Sequence, residues 1–147
     1  MAAKSTQDLI NMMEKWFSNL PALPKNVNEV IVKITPWIAI IFGVLGVLSS
    51  VALFGITTVS APFMAMGGYA GQAGGGMIYA ILALISSVLM VAAFPGTNKR
   101  KMSGWTLLFY SEVVSVVASV VAMSVGGLVG NLIGFYILFQ IKSFYTK

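Results

Sequence analysis

An uncharged stretch from residue 36 to residue 56 is the feature of this sequence that most restricts its fold. As a helix, its 21 residues are roughly 31 Å long at ~1.5 Å per residue, which matches a bilayer hydrocarbon core of about 30 Å. Comparable apolar stretches recur further along the chain. We therefore predict an all-α integral membrane protein, a four-transmembrane-helix bundle with spans over residues 36–56, 77–94, 105–125 and 128–144.

The composition favours the same fold class. Apolar residues make up 58% of the chain and charged residues only 9%, whereas roughly 25% of the residues in a typical soluble domain are charged. This small number of charged residues cannot cover a water-exposed surface. We therefore expect the lipid bilayer to surround most of the surface side chains.

The chemistry available to the chain is narrow. It contains no cysteine and no histidine, which removes thiol nucleophiles, imidazole bases and the commonest metal ligands. The only acidic residues are Asp8, Glu14, Glu29 and Glu112, and no nucleophile and base pair can be assembled within the membrane. We therefore expect a protein that is not an enzyme, with no catalytic residue, cofactor or metal site.

The first part of the chain, residues 1–25, is predicted to be a cytoplasmic amphipathic interfacial helix and a linker that precede the transmembrane domain, residues 26–147. Ser5 is placed to cap a helix over residues 5–20, and Asp8 follows it at capping-box spacing. Pro21 and Pro24 then end the helix. It either orients the first span or docks a partner. Its predicted apolar stripe consists of Leu9, Ile10, Met13, Trp16, Phe17 and Leu20.

Prolines and glycines suggest where the spans begin and end. Residues 26–34 are predicted to form a short separate helix, with Thr35 and Pro36 starting the first span. Pro95 with Gly96 is predicted to end the second span, and Gly126 with Gly127 to form the turn before the fourth. The uncharged, glycine-rich residues 57–76 are predicted to form an external loop or a re-entrant segment.

Basic residues indicate the orientation. With four spans, every lysine and arginine falls on one side of the bilayer, which the positive-inside rule assigns to the cytoplasm. We predict a multi-pass protein of the plasma (inner) membrane with cytoplasmic N- and C-termini. These charges form no nucleic-acid-binding surface, although Lys99, Arg100 and Lys101 are placed to contact anionic lipid headgroups. The full set is Lys4, Lys15, Lys25, Lys33, Lys99, Arg100, Lys101, Lys142 and Lys147.

Glu112 is the acidic residue inside a predicted span, about one third of the way along it from Trp105. A carboxylate there indicates either a protonatable or cation-binding site, or an acid that hydrogen-bonds neighbouring helices together. Helical spacing places Ser115 and Ser119 on the same face as Glu112, with Ser111 beside it. In the fourth span, Gln140 and the more distant Asn131 are candidate partners. The predicted polar cluster is Glu112, Ser111, Ser115, Ser119 and Gln140.

Small residues recur at helix-packing spacing in the first and fourth spans. They indicate close helix contacts within one chain, in a homo-oligomer or with other membrane proteins. The predicted packing residues are Ala39, Gly43, Gly46, Ser50, Gly130 and Gly134.

These features favour a non-catalytic scaffold or accessory subunit that packs through small-residue helix faces. The alternative is an oligomeric ion channel or proton-coupled small transporter that uses Glu112. In architecture the chain resembles the small multidrug resistance transporters, which also have four short helices and one membrane carboxylate. That family's carboxylate lies in its first helix, whereas Glu112 lies in the third span, so the resemblance assigns no residue a role.

Overall fold

The computed structural model describes residues 2–146, without the side chains of residues 2 and 3. Lys147, which belongs to the predicted basic set, lies outside the described residues. Within that range the chain is built from helices, joined by a linker over residues 18–24 and otherwise by short turns. The helices are α1 (Ala2–Phe17), α2 (Lys25–Met66), α3 (Ala70–Asn98), α4 (Met102–Val121), α5 (Val125–Ile141) and a short 3₁₀ helix (Lys142–Phe144).

The helices α2, α3, α4 and α5 are each long and apolar enough to cross a membrane, the last together with the 3₁₀ helix. This confirms the predicted all-helical chain with four helices of membrane-spanning length. Their lengths are unequal. The 42 residues of α2 extend about 63 Å, twice the thickness of a bilayer core, whereas the 20 residues of α4 extend about 30 Å.

The predicted break before the first span is wrong, because α2 runs without interruption through Pro36. The Thr35 hydroxyl does not cap a helix and instead donates to the Ile31 carbonyl oxygen at 2.6 Å. A proline inside a helix loses one backbone hydrogen bond, whereas a break would leave several backbone groups unpaired. In apolar surroundings the continuous helix is the less costly solution.

The predicted loop over residues 57–76 is also wrong. α2 continues to Met66 and α3 begins at Ala70, so the connection is a turn over residues 67–69. Glycine lowers helix stability by about 1 kcal/mol relative to alanine, but the apolar surroundings and the pairing of α2 with α3 outweigh that cost. For the same reason α3 runs through Pro95 to Asn98, beyond the end predicted at Pro95 and Gly96.

One backbone geometry closes all three turns between these four helices. Each turn contains a residue with positive φ: Gly68 at 83°, Arg100 at 52° and Met123 at 50°. The amide after that residue donates to the carbonyl oxygen five positions earlier, at 2.7, 2.8 and 2.9 Å respectively. This is the Schellman arrangement, which reverses the chain while satisfying carbonyl groups at the helix end.

The turn before α5 therefore lies earlier than the predicted Gly126 and Gly127, which occupy the first turn of α5 itself. Ser124 is the N-cap of that helix, and its hydroxyl oxygen accepts a hydrogen bond from the Gly127 amide at 3.0 Å. A serine cap fixes the helix start more firmly than glycine does. The left-handed position is filled by Met123, a residue type that gives no turn signal in a sequence.

The N-terminal helix α1 begins at Ala2, so Ser5 lies inside it and does not cap it. Its apolar side chains are divided between two surroundings. Ile10 is buried, and the Phe17 ring stacks on Phe139 of α5 with centroids 5.4 Å apart. Trp16 is 78% exposed. The predicted apolar stripe thus contacts the bundle along one edge and leaves the other edge uncovered.

In the bundle, α3 packs along both α2 and α4, and α5 packs along α4. α2 and α5 contact each other over a short stretch, which leaves an open seam between them. We call the end where α2 and α4 begin the basic end. The opposite end, with the turns at residues 67–69 and 122–124, is the far end.

The basic end is tied together by the C-terminal segment and by aromatic rings. The Met102 amide donates to the Thr146 carbonyl oxygen at 2.6 Å, and the Thr146 amide donates to the Arg100 carbonyl oxygen at 2.9 Å. Next to this pairing Tyr145 is buried, and burial raises the pKa of its phenol. The four-ring aromatic cluster consists of Trp105, Phe109, Phe135 and Phe139.

Candidate functional site

Glu112 lies midway along α4, about 15 Å from either end of the helix. It is therefore deeper than the predicted one third of a span, because α4 starts earlier and ends earlier than that span. Its side chain is partly buried and lines a cavity of about 270 Å³ in the seam between α2 and α5. We call this the Glu112 cavity.

The walls of the Glu112 cavity are apolar apart from Glu112 and Thr35. They come from residues 31–39 of α2 and residues 134–141 of α5, with Met90 and Leu108 from the helices between. Gly134 faces the carboxylate directly, and a Cβ atom at that position would lie 2.9 Å from Glu112 Oε2. A glycine at this point leaves room for the carboxylate to enter the seam.

The Glu112 carboxylate has no hydrogen-bond or ion-pair partner among residues 4–146. Carboxylates at such depth are normally paired, because an isolated charge in apolar surroundings costs several kcal/mol. Chemically, an unpaired carboxyl beside a cavity can take up and release a proton or balance the charge of a cation.

The other members of the predicted polar cluster are not brought to Glu112. Ser115 donates to the Asn131 side-chain oxygen at 3.0 Å, and the Asn131 side-chain nitrogen donates to the Ser119 hydroxyl at 3.0 Å. These three residues join α4 to α5 beyond Glu112, on the far-end side. Asn131 is thus the partner of the serines and not of the carboxylate.

Ser111 and Gln140 have separate roles again. Ser111 is buried against Ser86 of α3, and each hydroxyl lies 3.0 Å from the other and near the opposite carbonyl oxygen. Gln140 accepts from the Leu23 amide at 3.2 Å and donates to the Pro21 carbonyl oxygen at 3.4 Å, which fixes the linker after α1. The five residues of the predicted cluster are therefore distributed over four separate sites.

A second cavity, which the sequence reasoning missed, lies between α2, α3 and α4 towards the far end. Its volume is about 360 Å³. We call it the serine cavity, because six serines and one tyrosine contribute to its walls. The only signal in the sequence is the pair of adjacent serines in each of two apolar spans. The hydroxyl residues are Ser49, Ser50, Tyr79, Ser86, Ser87, Ser115 and Ser119.

The predicted packing residues of α2 face α3. A Cβ atom on Gly43 would lie 2.8 Å from a Val91 methyl group, and one on Gly46 would collide with Ser87. Ser50 is buried on the same face. In α5, by contrast, Gly130 has open space around it in the described chain.

The predicted lipid-headgroup residues Lys99, Arg100 and Lys101 are exposed at the turn between α3 and α4. Arg100 also lines an open cleft with Glu29 and Lys33 at the start of α2. Headgroup binding by this turn stays a prediction.

No three acidic side chains in the described part of the chain come close enough together to hold a metal ion. Comparisons with protein-family models, with curated proteins and with solved structures found no match to this chain.

Proposed function

We propose that the chain is a multi-pass protein of the plasma (inner) membrane, with both termini in the cytoplasm. The segments that carry the described basic residues converge on the basic end, where Lys142 forms an ion pair with Glu14 of α1. The turns at residues 67–69 and 122–124 carry no charge. This separation of charge along the bundle supports the positive-inside orientation.

Single-cysteine labelling tests the orientation, because the native chain has no cysteine. Met66→Cys at the far end and Lys99→Cys at the basic end both replace exposed residues. A membrane-impermeant thiol reagent added to intact cells is expected to label Met66→Cys alone. Labelling of Lys99→Cys, or of both variants, contradicts the proposed orientation.

We infer that α1 lies in the cytoplasmic interface of the membrane. The edge formed by Met12 and Trp16 is exposed on the isolated chain, whereas Phe17 is held against α5. A tryptophan at the end of such a helix is typical of the headgroup region of a bilayer.

For the biochemical activity we propose non-enzymatic transport of protons or small cations across the membrane through Glu112. The observation that carries this proposal is an unpaired carboxylate, midway along α4, that lines a cavity in the open seam between α2 and α5. Carboxylates placed inside membrane bundles commonly mark ion pathways or proton relays. The apolar walls leave Glu112 as the one strong polar group in its cavity.

Two observations favour the transport function over the scaffold function, which the sequence alone favours. A role for Glu112 in stapling helices together requires a hydrogen-bond partner, and residues 4–146 provide none. The small residues Gly43 and Gly46, which favoured a scaffold, are occupied by contacts within the chain. The hydrogen-bonding role of Glu112 and the packing residues of α2 therefore support a scaffold less than they do in the sequence alone.

The test is proton and monovalent-cation flux into proteoliposomes, compared between the native protein and Glu112→Gln. The expected result is flux in the native protein and its loss in the variant. Glu29→Gln is the matched control, because it makes the same change at an exposed position in the first turns of α2, at the basic end. Equal flux in native protein and Glu112→Gln, or equal loss in the control, contradicts the proposal.

A second candidate function is association with another copy of this chain or with another membrane protein, and one observation favours it. Gly126 and Gly130 lie one helical turn apart on α5 with open space around both, and Val129 and Ile133 beside them are exposed. Such a face allows close approach of a helix from another chain. Gly130→Ile is expected to reduce the oligomeric mass in detergent by light scattering, whereas an unchanged mass contradicts this contact.

A further inference from the structure

The serine cavity is lined by hydroxyl groups that the proposed role of Glu112 does not by itself explain. Its volume of about 360 Å³ is enough for about ten water molecules at ~30 Å³ each. Seven hydroxyl groups line it, contributed by three helices. Five of these hydroxyls already have a hydrogen-bond partner within the chain, namely those of Ser50, Ser86, Ser87, Ser115 and Ser119. Water can satisfy the hydroxyls of Ser49 and Tyr79 and the remaining lone pairs, whereas lipid chains cannot, so a hydrated interior fits this lining better than an apolar one.

The hydrogen bonds within the walls of the serine cavity determine which molecules can bind in it. Ser50 donates to the Gly46 carbonyl oxygen at 2.6 Å, and Ser87 donates to the Ala83 carbonyl oxygen at 2.7 Å. Their hydroxyl hydrogens are used within the helices, which leaves oxygen lone pairs free to accept. No charged residue of the described chain lines the cavity. The walls therefore suit water and hydrated cations such as hydronium.

The serine cavity and the Glu112 cavity meet at one side chain. Met90 is the residue that lines both, among those the structure describes. On α4, Ser115 of the serine cavity lies three positions after Glu112, so the two side chains are helical neighbours. Methionine is unbranched and flexible, so its side chain can leave such a position by rotation about its own bonds.

We propose that the serine cavity is a water-filled proton entry site that serves Glu112 from the far end, with Met90 as the barrier between the two cavities. When the Met90 side chain moves aside, a hydronium ion passes its proton to a Glu112 carboxylate oxygen and leaves a water molecule behind. This inference rests on the proposed transport function, since it names the route by which the proton reaches the carboxylate.

Thiol labelling of single-cysteine variants tests the hydration. Ser49→Cys and Ser87→Cys place a thiol in the serine cavity on two different helices. Leu48→Cys is the matched control, because Leu48 lies at the same depth as Ser49 and is likewise exposed, at 63%, but does not line the cavity. The probe is a charged, membrane-impermeant methanethiosulfonate, with Met66→Cys and Lys99→Cys defining the two sides of the membrane.

Both serine-cavity thiols are expected to react from the far side about tenfold faster than Leu48→Cys, because the reactive thiolate forms only where water reaches it. In a Met90→Ala background, Ser87→Cys is expected to react from the basic side as well. Unchanged sidedness in that background overturns the role of Met90.

The outcomes separate this inference from the proposed function. Serine-cavity thiols no faster than Leu48→Cys overturn the hydrated site, and if Glu112→Gln still abolishes flux, the transport function stands without it. Rapid labelling combined with flux that does not depend on Glu112 supports the hydrated cavity but overturns its role in supplying that carboxylate.

Discussion

The two ends of the bundle are held together in different ways. At the basic end, the Trp105 indole nitrogen donates to the Leu138 carbonyl oxygen at 2.8 Å within an aromatic cluster, and the C-terminal segment pairs with the turn at Arg100. At the far end, Met66 is 88% exposed and Met123 is 84% exposed. The basic end is a packed core whose helices are joined by hydrogen bonds and aromatic contacts, whereas the far end consists of two helix pairs joined by short turns.

The helices around the two cavities are therefore held together to different extents. The Glu112 cavity lies in the half of the bundle that the aromatic cluster and the C-terminal segment hold in place. The serine cavity lies in the half where Ser115 and Ser119 bond to Asn131 but no aromatic cluster or terminal segment crosses the helices, so the helices there can separate at lower cost. We infer that stability resides mainly at the basic end and that conformational change occurs mainly at the far end.

The strongest test of this comparison is the removal of one large aromatic side chain from each end. Trp105 is 1% exposed and Phe63 of α2 is 73% exposed. Trp105→Ala is expected to lower the free energy of unfolding in detergent by about 3–5 kcal/mol, because it leaves a cavity and an unpaired carbonyl group. Phe63→Ala is expected to change it by less than about 0.5 kcal/mol. Similar losses in the two variants would show that both ends carry the stability.

A smaller effect is expected from glycines at helix contacts. A Cβ atom on Gly104 would collide with backbone atoms of Gly96 and Thr97, where α3 and α4 cross at the basic end. Gly104→Ala is therefore expected to destabilise the protein by about 1–3 kcal/mol in the same unfolding assay. Gly130→Ala is the control, since open space surrounds Gly130 and alanine favours a helix by about 0.5–1 kcal/mol. A stable Gly104→Ala variant would contradict the close crossing.

The smallest effect is expected at the turn between α4 and α5. Met123 has φ of 50°, a left-handed conformation that costs a side-chain-bearing residue about 1–2 kcal/mol, and its side chain is exposed. Met123→Gly is expected to stabilise the protein by about 0.5–1 kcal/mol in thermal unfolding. Ala122→Gly, at an ordinary φ of −78°, is expected to give no gain. If both variants lose stability, the turn does not have this geometry.

The sequence could predict the features that depend on the length and composition of whole segments. Four long apolar helices follow from the uncharged runs, because backbone groups in apolar surroundings must be paired within a helix. The concentration of basic residues in a few short segments is likewise visible in the sequence. The hydropathy and charge of a segment are sums over many residues, so a single exceptional residue changes them little.

Local signals failed where the surroundings outweighed intrinsic preferences. Pro36 and Pro95 lie inside helices, and the glycine-rich residues 70–76 are helical, although these residue types are poor helix formers. The turns at Arg100 and Met123 carried no glycine to reveal them.

The prediction of a single polar cluster around Glu112 was wrong for a geometric reason. α4 packs between α3 and α5, so adjacent positions on it face different neighbours. Ser111 faces α3 and Ser115 faces Asn131 of α5, whereas Glu112 faces the seam. Spacing along one helix identifies a face, but it does not identify the helix that this face meets.

The most direct test of the central claim is reaction of the folded protein in membranes with a hydrophobic carbodiimide, followed by peptide mass spectrometry. A free carboxyl adds to the carbodiimide and rearranges to a stable N-acylurea. We predict modification at Glu112, which lines the open seam, and none at Glu29, which is exposed at the basic end of α2. A Glu112 that reacts only after the protein is unfolded would contradict an unpaired, accessible carboxylate in this bundle.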